Sequence, residues 1–176
     1  MTASQHEVPK APTRLILSTP EHFIAYGFGA GLAPRAPGTF GTLVGLPLWF
    51  LLHGLLPDPV HYLLACLVLF VFGCWVCGES ARLLGLHDAP GIVFDEIVGF
   101  LLTCFPLLFL PAHAPRWPWL IAAFLLFRVF DILKPWPIRW LDQRVKGGFG
   151  IMVDDALAAV FAALCLFALL AVLLSW

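Results

Sequence analysis

Two long apolar segments without charged side chains constrain the fold of this 176-residue chain more than any other feature. Residues 60–78 contain no Asp, Glu, Lys or Arg, and neither do residues 156–175. About twenty apolar residues in a helix are enough to cross the hydrocarbon core of a bilayer, which is about 30 Å thick. Because lipid offers no hydrogen-bond partners to the backbone, a segment of this kind must satisfy its own N–H and C=O groups as a helix. The sequence therefore predicts an all-α membrane protein.

The composition supports several further membrane-spanning helices. The chain is 61% hydrophobic and 12% charged, and its mean hydropathy is +0.92, well above that of soluble proteins. Three weaker apolar segments occupy residues 39–56, 97–110 and 117–133. We therefore predict a polytopic helical bundle of about five transmembrane helices.

The chain is expected to form a single membrane-embedded domain over residues 22–176, preceded by a flexible polar tail over residues 1–21. The tail has neither the apolar centre nor the small-residue cleavage site of a signal peptide. We therefore expect it to stay attached.

The distribution of Lys and Arg predicts how the bundle is oriented. With the N-terminus in the cytoplasm, Arg116 alone falls on the outer side, and the cytoplasmic side carries Lys10, Arg14, Arg35, Arg82, Lys134, Arg139, Arg144 and Lys146. Positive charge is concentrated in cytoplasmic loops of membrane proteins, so this orientation is favoured. It brings the starts of the third and fifth segments and the end of the fourth to one cytoplasmic face.

Five of the eleven acidic residues lie at these three segment ends, namely Asp95, Glu96, Asp131, Asp154 and Asp155. Carboxylates close to lipid are costly and usually functional. Helix capping explains the two adjacent pairs equally well, because a helix N-terminus favours negative charge. Asp131 lies instead at a helix C-terminus, which repels an anion, so it needs a positive partner. Arg128 or Lys134 would form a local ion pair with it, and a bound divalent cation is the alternative.

The acidic residues suit a magnesium ion. Asp155 shares a helical face with small residues that mark helix contacts in membranes, Ala158, Ala159, Ala162 and Ala163, so it is expected to face the bundle. Asp154 lies about 100° further round the helix, towards the cytoplasmic edge. Carboxylate oxygens without thiolate or imidazole ligands favour Mg²⁺ over zinc. His87, with Asp88, is a candidate to assist.

Cationic and glycine-rich segments on the same face suggest an anionic substrate. Lys134 and Arg139 lie among tryptophans at the membrane surface, where they suit phosphate, although ordinary positive-inside charge explains them equally well. The glycine-rich loop at residues 27–42 offers backbone N–H groups, Arg35 and two hydroxyls, those of Thr39 and Thr42. It lacks the ending of a nucleotide-binding P-loop, and no nucleic-acid partner is expected.

Phosphate chemistry on a membrane lipid follows from combining these features. A Mg²⁺ site beside phosphate-seeking cations points to hydrolysis at a phospholipid headgroup by a metal-activated water. Two other hypotheses remain, a small cation transporter and a non-catalytic membrane subunit. Transporter sites usually lie near the bilayer midplane, whereas these acids lie at helix ends beside Lys and Arg.

Four long motifs carry a family resemblance, GLAPRAPGTFGTL (31–43), IVFDEIVG (92–99), FRVFDILKPWPIRWLD (127–142) and GGFGIMVDDALAAV (147–160). With them, the chain closely resembles the phosphatidylglycerophosphatase A family of bacterial inner-membrane lipid phosphatases. The resemblance implies Mg²⁺-dependent hydrolysis of phosphatidylglycerophosphate to phosphatidylglycerol and phosphate, a step in anionic phospholipid synthesis. It leaves open which carboxylate holds the metal and which handles protons.

The resulting hypothesis assigns roles by chemistry. The carboxylates hold Mg²⁺ and orient a water molecule, with Asp154 in a supporting role beside Asp95, Glu96, Asp131 and Asp155. The terminal phosphate is bound by Lys134, Arg139 and Arg35, with Thr39 and Thr42 as hydrogen-bond donors.

Overall fold

Helices form all the regular structure in the residues described by the computed structural model, which are 12–86, 89–111 and 113–174. In this part of the chain, eight α-helices follow one another: α1 Thr13–Ser18, α2 Pro20–Ala25, α3 Pro37–Leu55, α4 Pro59–Leu84, α5 Phe94–Thr103, α6 Trp117–Leu133, α7 Ile138–Arg144 and α8 Gly147–Leu174. Two 3-10 segments, Gly27–Leu32 and Phe105–Phe109, precede α3 and follow α5. The predicted all-α class is confirmed.

Three helices in the described part are long and apolar enough to cross a membrane: Pro37–Leu55, Pro59–Leu84 and Gly147–Leu173. At 1.5 Å per residue, even the shortest of them, with 19 residues, is about 28 Å long. Helices α4 and α8 extend beyond the predicted apolar segments because they continue through charged residues. The last turns of α4 include Glu79 and Arg82, and α8 begins before Asp154.

The two weaker predicted spans in the second half of the chain differ from each other. The predicted segment 97–110 is divided into α5, with 10 residues, and the following 3-10 segment, which has Pro106 in its first turn. Proline has no backbone N–H, so it fits the first turn of a new segment better than the interior of a helix. The predicted segment 117–133 forms one helix with the same bounds, α6, but with 17 residues it is not among the three long apolar helices of the described part.

Helix α8 lies at the centre of the bundle, in contact with α4, α5, α6 and α7. Its residues Ala158, Ala159 and Ala162 are fully buried, as their spacing predicts. Close approach also depends on Gly148, where a Cβ atom would collide with the carbonyl oxygen of Cys74 in α4. Small residues therefore bring α8 near enough to its neighbours for side chains from several helices to converge.

Helix α3 packs against α5 and the residue before it through glycines. A Cβ atom at Gly41 would lie 2.6 Å from Cβ of Val93, and one at Gly45 would lie 2.7 Å from Cδ1 of Phe100. These glycines thus serve helix packing, which holds the N-terminal end of α3 beside that of α5.

The residues before the 3-10 segment Gly27–Leu32 are joined to the bundle where the structure describes them. Ile16 of α1 is fully buried, and Nδ1 of His22 lies 2.8 Å from Oγ of Ser80 in α4. The backbone N–H of Val93 donates a hydrogen bond of 2.9 Å to the carbonyl of Ala25. Helices α1 and α2 therefore pack beside the chain segment that leads into α5.

Candidate active site

Three carboxylates from two helices meet inside the bundle. Asp95 and Glu96 occupy the first turn of α5, and Asp155 lies in α8. Each residue offers one carboxylate oxygen such that these oxygens all lie within 4.8 Å of one another. Asp155 is only 3% exposed, and Asp95 and Glu96 are half-buried, each with one fully buried carboxylate oxygen. We call Asp95, Glu96 and Asp155 the acidic cluster.

The acidic cluster borders a cavity of about 190 Å³. Of the residues predicted from the sequence, it is lined by Asp95, Glu96, Asp131, Lys134, Asp154 and Asp155. Two further charged residues that were not predicted as site residues also line it, Asp142 and Lys146. The structure thus brings together all five carboxylates of the sequence hypothesis and one of its three proposed phosphate-binding cations.

Asp131 is paired with Arg128. Nη1 of Arg128 lies 2.5 Å from Oδ2 of Asp131 and 4.0 Å from Oε1 of Glu96, and the side chains are 13–14% exposed. The positive partner that a carboxylate needs at a helix C-terminus is therefore present on the same helix. The same guanidinium also lies beside the acidic cluster, where it partly offsets the negative charge.

Lys134 joins two acidic residues from different helices. It follows α6 with a left-handed backbone (φ 41°), and its Nζ lies 2.7 Å from Oδ1 of Asp142 in α7 and 2.5 Å from Oδ2 of Asp154 in α8. Burial lowers the pKa of Lys134, but the two carboxylates outweigh burial and raise the pKa above its usual range. Lys134 is therefore charged at neutral pH. Asp142 lies in the same sequence motif as Lys134, but eight residues and a change of helix separate the two, so no sequence pattern marked Asp142 as a site residue.

Several carboxylate oxygens around the cavity have no hydrogen-bond partner among the described residues. They are Oδ1 of Asp95, Oε2 of Glu96, Oδ1 of Asp154 and Oδ2 of Asp155, all of them buried. Buried charged atoms without a partner cost free energy, and a bound cation would remove much of that cost. Because all of these candidate ligand atoms are carboxylate oxygens, the site fits a hard cation such as Mg²⁺.

The other predicted phosphate ligands lie elsewhere. Arg35 and Arg139 are exposed and are not among the described residues that line the cavity, and neither is the half-buried Thr39. Thr42 is buried, and its Oγ1 donates a hydrogen bond of 2.9 Å to the carbonyl of Gly38. The hydroxyl of Thr42 is thus used inside α3.

The glycine-rich loop reaches the site through Gly38. A Cβ atom at this position would collide with Oε1 of Glu96 and would lie 3.1 Å from Nη1 of Arg128. Here, absence of a side chain allows the N-terminus of α3 to approach the acidic cluster. The remaining candidate ligands, His87 and Asp88, lie outside the described residues.

Comparison with known proteins identifies the family. The family described as Phosphatidylglycerophosphatase A matches residues 23–170. The chain belongs to the phosphatidylglycerophosphatase A family. The resemblance seen in the four motifs is therefore confirmed, and the match covers the acidic cluster and the cavity around it.

Individual relatives in this family match along most of their length. The chain is similar to the phosphatidylglycerophosphatase A of Escherichia coli, with 42% identity over 93% of this chain and 91% of that protein. It is 43% identical to the protein of the same name from Haemophilus influenzae, over 89% of this chain and 92% of that protein.

A third relative carries a different name. A putative phosphatidylinositol-3-phosphatase of Bacteroides thetaiotaomicron is 43% identical over 79% of this chain and 86% of that protein. No solved structure matches the chain. These relatives do not favour the transporter or the non-catalytic alternative.

Proposed function

We propose that the chain hydrolyses the terminal phosphomonoester of phosphatidylglycerophosphate, producing phosphatidylglycerol and inorganic phosphate in bacterial anionic phospholipid synthesis. Support comes from the family and from relatives named for this activity. The structural observation that carries the proposal is the acidic cluster, whose oxygens lie within 4.8 Å of one another beside a cavity that also contains lysines. Such a site combines cation ligands with groups that attract phosphate.

The acidic cluster is proposed to hold Mg²⁺, with Asp131 and Asp154 bordering the ion. When bound, the ion neutralises phosphoryl charge and makes a water molecule more acidic. Asp131 has one firm partner, Arg128, and Asp154 is bonded to Lys134. Both residues are therefore better suited to orienting neighbours, including the attacking water, than to acting as principal ligands.

In the proposed reaction, water adds to phosphorus as the bond between phosphorus and the terminal glycerol oxygen breaks. The glycerol oxygen takes up a proton and remains on the lipid, and the phosphate leaves. Lys134 has three N–H donors, of which two point to Asp142 and Asp154. The third is available to a phosphoryl oxygen, so the two carboxylates would hold the ammonium in position for the substrate.

The more distant cations are assigned a different part in substrate binding. Arg35 and Arg139 are exposed, so we propose that they attract the anionic headgroup at the membrane surface before it enters the cavity. Thr39, in the first turn of α3, remains a candidate hydrogen-bond donor. The acyl chains are proposed to stay in lipid throughout.

The proposed arrangement places five passes in the bacterial inner membrane, with the N-terminus and the active site at the cytoplasmic face. It treats α5 with the following 3-10 segment as one pass and α6 as another, in addition to α3, α4 and α8. The surplus of Lys and Arg at the end that bears the acidic cluster supports this orientation.

Thiol labelling of intact cells tests the arrangement. A cysteine replacing the exposed His113 is expected to react with a membrane-impermeant maleimide added from outside. A cysteine replacing the exposed Gln143 in α7 is expected to react only after the membrane is permeabilised. Native cysteines set the background, and Cys66, Cys77 and Cys104 are fully buried. Protection of the position-113 cysteine from outside label would contradict five passes.

Removal of divalent cations tests the proposed chemistry. The purified protein in detergent is expected to release phosphate from phosphatidylglycerophosphate with Mg²⁺, and to lose at least about a hundredfold of that rate with excess chelator. Adding Mg²⁺ back should restore the rate. Full activity in chelator would contradict the proposed metal dependence. Absence of phosphate release under all conditions would contradict the proposal that phosphatidylglycerophosphate is the substrate.

A further inference from the structure

Lys146 is a second lysine that lines the cavity, beside Lys134. It lines the same cavity as the acidic cluster, and its side chain is exposed. It directly precedes Gly147, the first residue of the 28-residue helix α8, so it lies at a helix end that also favours anions. Within the described chain, its ammonium makes no ion pair or hydrogen bond.

The other cations around the acidic cluster are already engaged or lie away from the cavity. Arg128 pairs with Asp131 at 2.5 Å, and Lys134 bonds to both Asp142 and Asp154. Of the two cations that line the cavity in the described residues, Lys134 therefore has one N–H donor left and Lys146 has three. An anionic group that stays at the cavity rim would meet Lys146.

The proposed substrate carries two different phosphate groups. Its terminal monoester must reach the buried acidic cluster and Lys134 in order to be hydrolysed. Its phosphodiester, one glycerol unit away, is not cleaved and stays attached to the diacylglycerol. The diester must therefore remain further out than the monoester, on the exposed side of the cavity.

We infer that Lys146 binds the phosphodiester of the lipid substrate and thereby favours lipids that carry a diester beside the cleaved monoester. The inference rests on the proposed function and deepens it. A lysine ammonium suits the single charge of a diester, for which the fork of an arginine is not required. Lys146 is thus a binding residue for the part of the lipid that does not react.

The test compares two variants that each remove one positive charge. Lys146→Gln removes the proposed contact, whereas Arg144→Gln removes a charge two residues earlier on the same surface. The Arg144 guanidinium lies over the Trp140 ring, 4.7 Å from its centroid, and is not among the described residues that line the cavity. Any general attraction between the protein surface and anionic lipid is therefore weakened by one positive charge in both variants.

The two products of the proposed reaction, used as inhibitors, probe the two phosphate positions one at a time. Inorganic phosphate tests the monoester position, and short-chain phosphatidylglycerol, which carries only the diester, tests the rim. In Lys146→Gln we expect the KM for phosphatidylglycerophosphate and the inhibition constant of short-chain phosphatidylglycerol to rise about tenfold, the size of one hydrogen bond between charged groups. The kcat and the inhibition constant of inorganic phosphate should stay at the wild-type values, which would also show that the site is intact.

Other results would overturn the inference. A rise in the inhibition constant of inorganic phosphate alone would place Lys146 at the monoester, and an equal rise for both products would show a general change in the site instead of a contact with the diester. No change in either would show that Lys146 contacts neither group. The same rise in KM and in the inhibition constant of short-chain phosphatidylglycerol in Arg144→Gln would show that the effect comes from general surface charge and not from a contact made by Lys146. If the wild-type protein released no phosphate from phosphatidylglycerophosphate, the proposed function itself would fail, and that result is distinct from an active wild type with an unaffected Lys146→Gln.

Discussion

Replacing Asp155 with asparagine is expected to lower phosphate release from phosphatidylglycerophosphate by at least about a hundredfold, even at saturating Mg²⁺. The substitution keeps the size of the side chain but removes its negative charge and one oxygen ligand from the acidic cluster. Loss of a residue that merely orients a metal ligand commonly costs ten- to a hundredfold, so loss of a proposed ligand should cost more. The measurement is the rate of phosphate release as a function of Mg²⁺ concentration, in detergent.

The matched control is Asp58→Asn. Asp58 precedes α4, and its Oδ1 accepts hydrogen bonds from the backbone N–H groups of Val60 and His61 at 3.0 and 3.1 Å. Asparagine is as good an N-cap as aspartate, so this variant should fold and retain activity. Activity close to wild type in Asp155→Asn, together with an active control, would exclude Asp155 from the catalytic centre.

Replacing Arg128 with methionine should lower the unfolding free energy more than any other substitution proposed for this protein. Arg128 lies between Asp131 and Glu96, at 2.5 and 4.0 Å, and all three side chains are largely buried. Removing one partner of a buried ion pair leaves an uncompensated charge and typically costs about 3 kcal/mol of unfolding free energy or more. The expected result is a clearly lower Tm in detergent without divalent cations.

Magnesium should partly reverse that loss. A cation that binds only the folded protein stabilises it by mass action, and the variant has more negative charge around the site to attract one. Arg82→Met is the control, because Arg82 pairs with Glu79 at 2.6 Å but is 67% exposed. Its Tm should remain near that of the wild-type protein. A wild-type Tm for Arg128→Met would refute the proposed role of this ion pair.

The apolar helices could be predicted wherever hydrophobicity alone decides the structure. The uncharged segments at residues 60–78 and 156–175 lie within α4 and α8, and the bounds of α6 agree with prediction. The ends of α4 and α8 could not be predicted from hydrophobicity. Glu79 and Asp154 continue these helices because packing against neighbours, and not contact with lipid, determines the structure there.

The carboxylates could be located from the sequence, because acidic residues at the ends of apolar segments stand out. Their partners could not. Asp142 bonds to Lys134 across eight residues of sequence and a change of helix, and the same ammonium reaches Asp154, twenty residues away. Arg35 and Arg139 were equally plausible phosphate ligands by composition, but the described residues that line the cavity do not include them.

The sequence alone determined that this chain is an all-α membrane protein with acidic helix ends and the motifs of a lipid phosphatase family. These properties depend on the chemistry of single residues and of short segments, which can be read along the chain. The tertiary structure decided which acids meet, which cations they neutralise and which cation remains available at the cavity rim. Those outcomes depend on how closely the helices approach one another, and glycines such as Gly38 and Gly148 allow that approach only in the folded bundle.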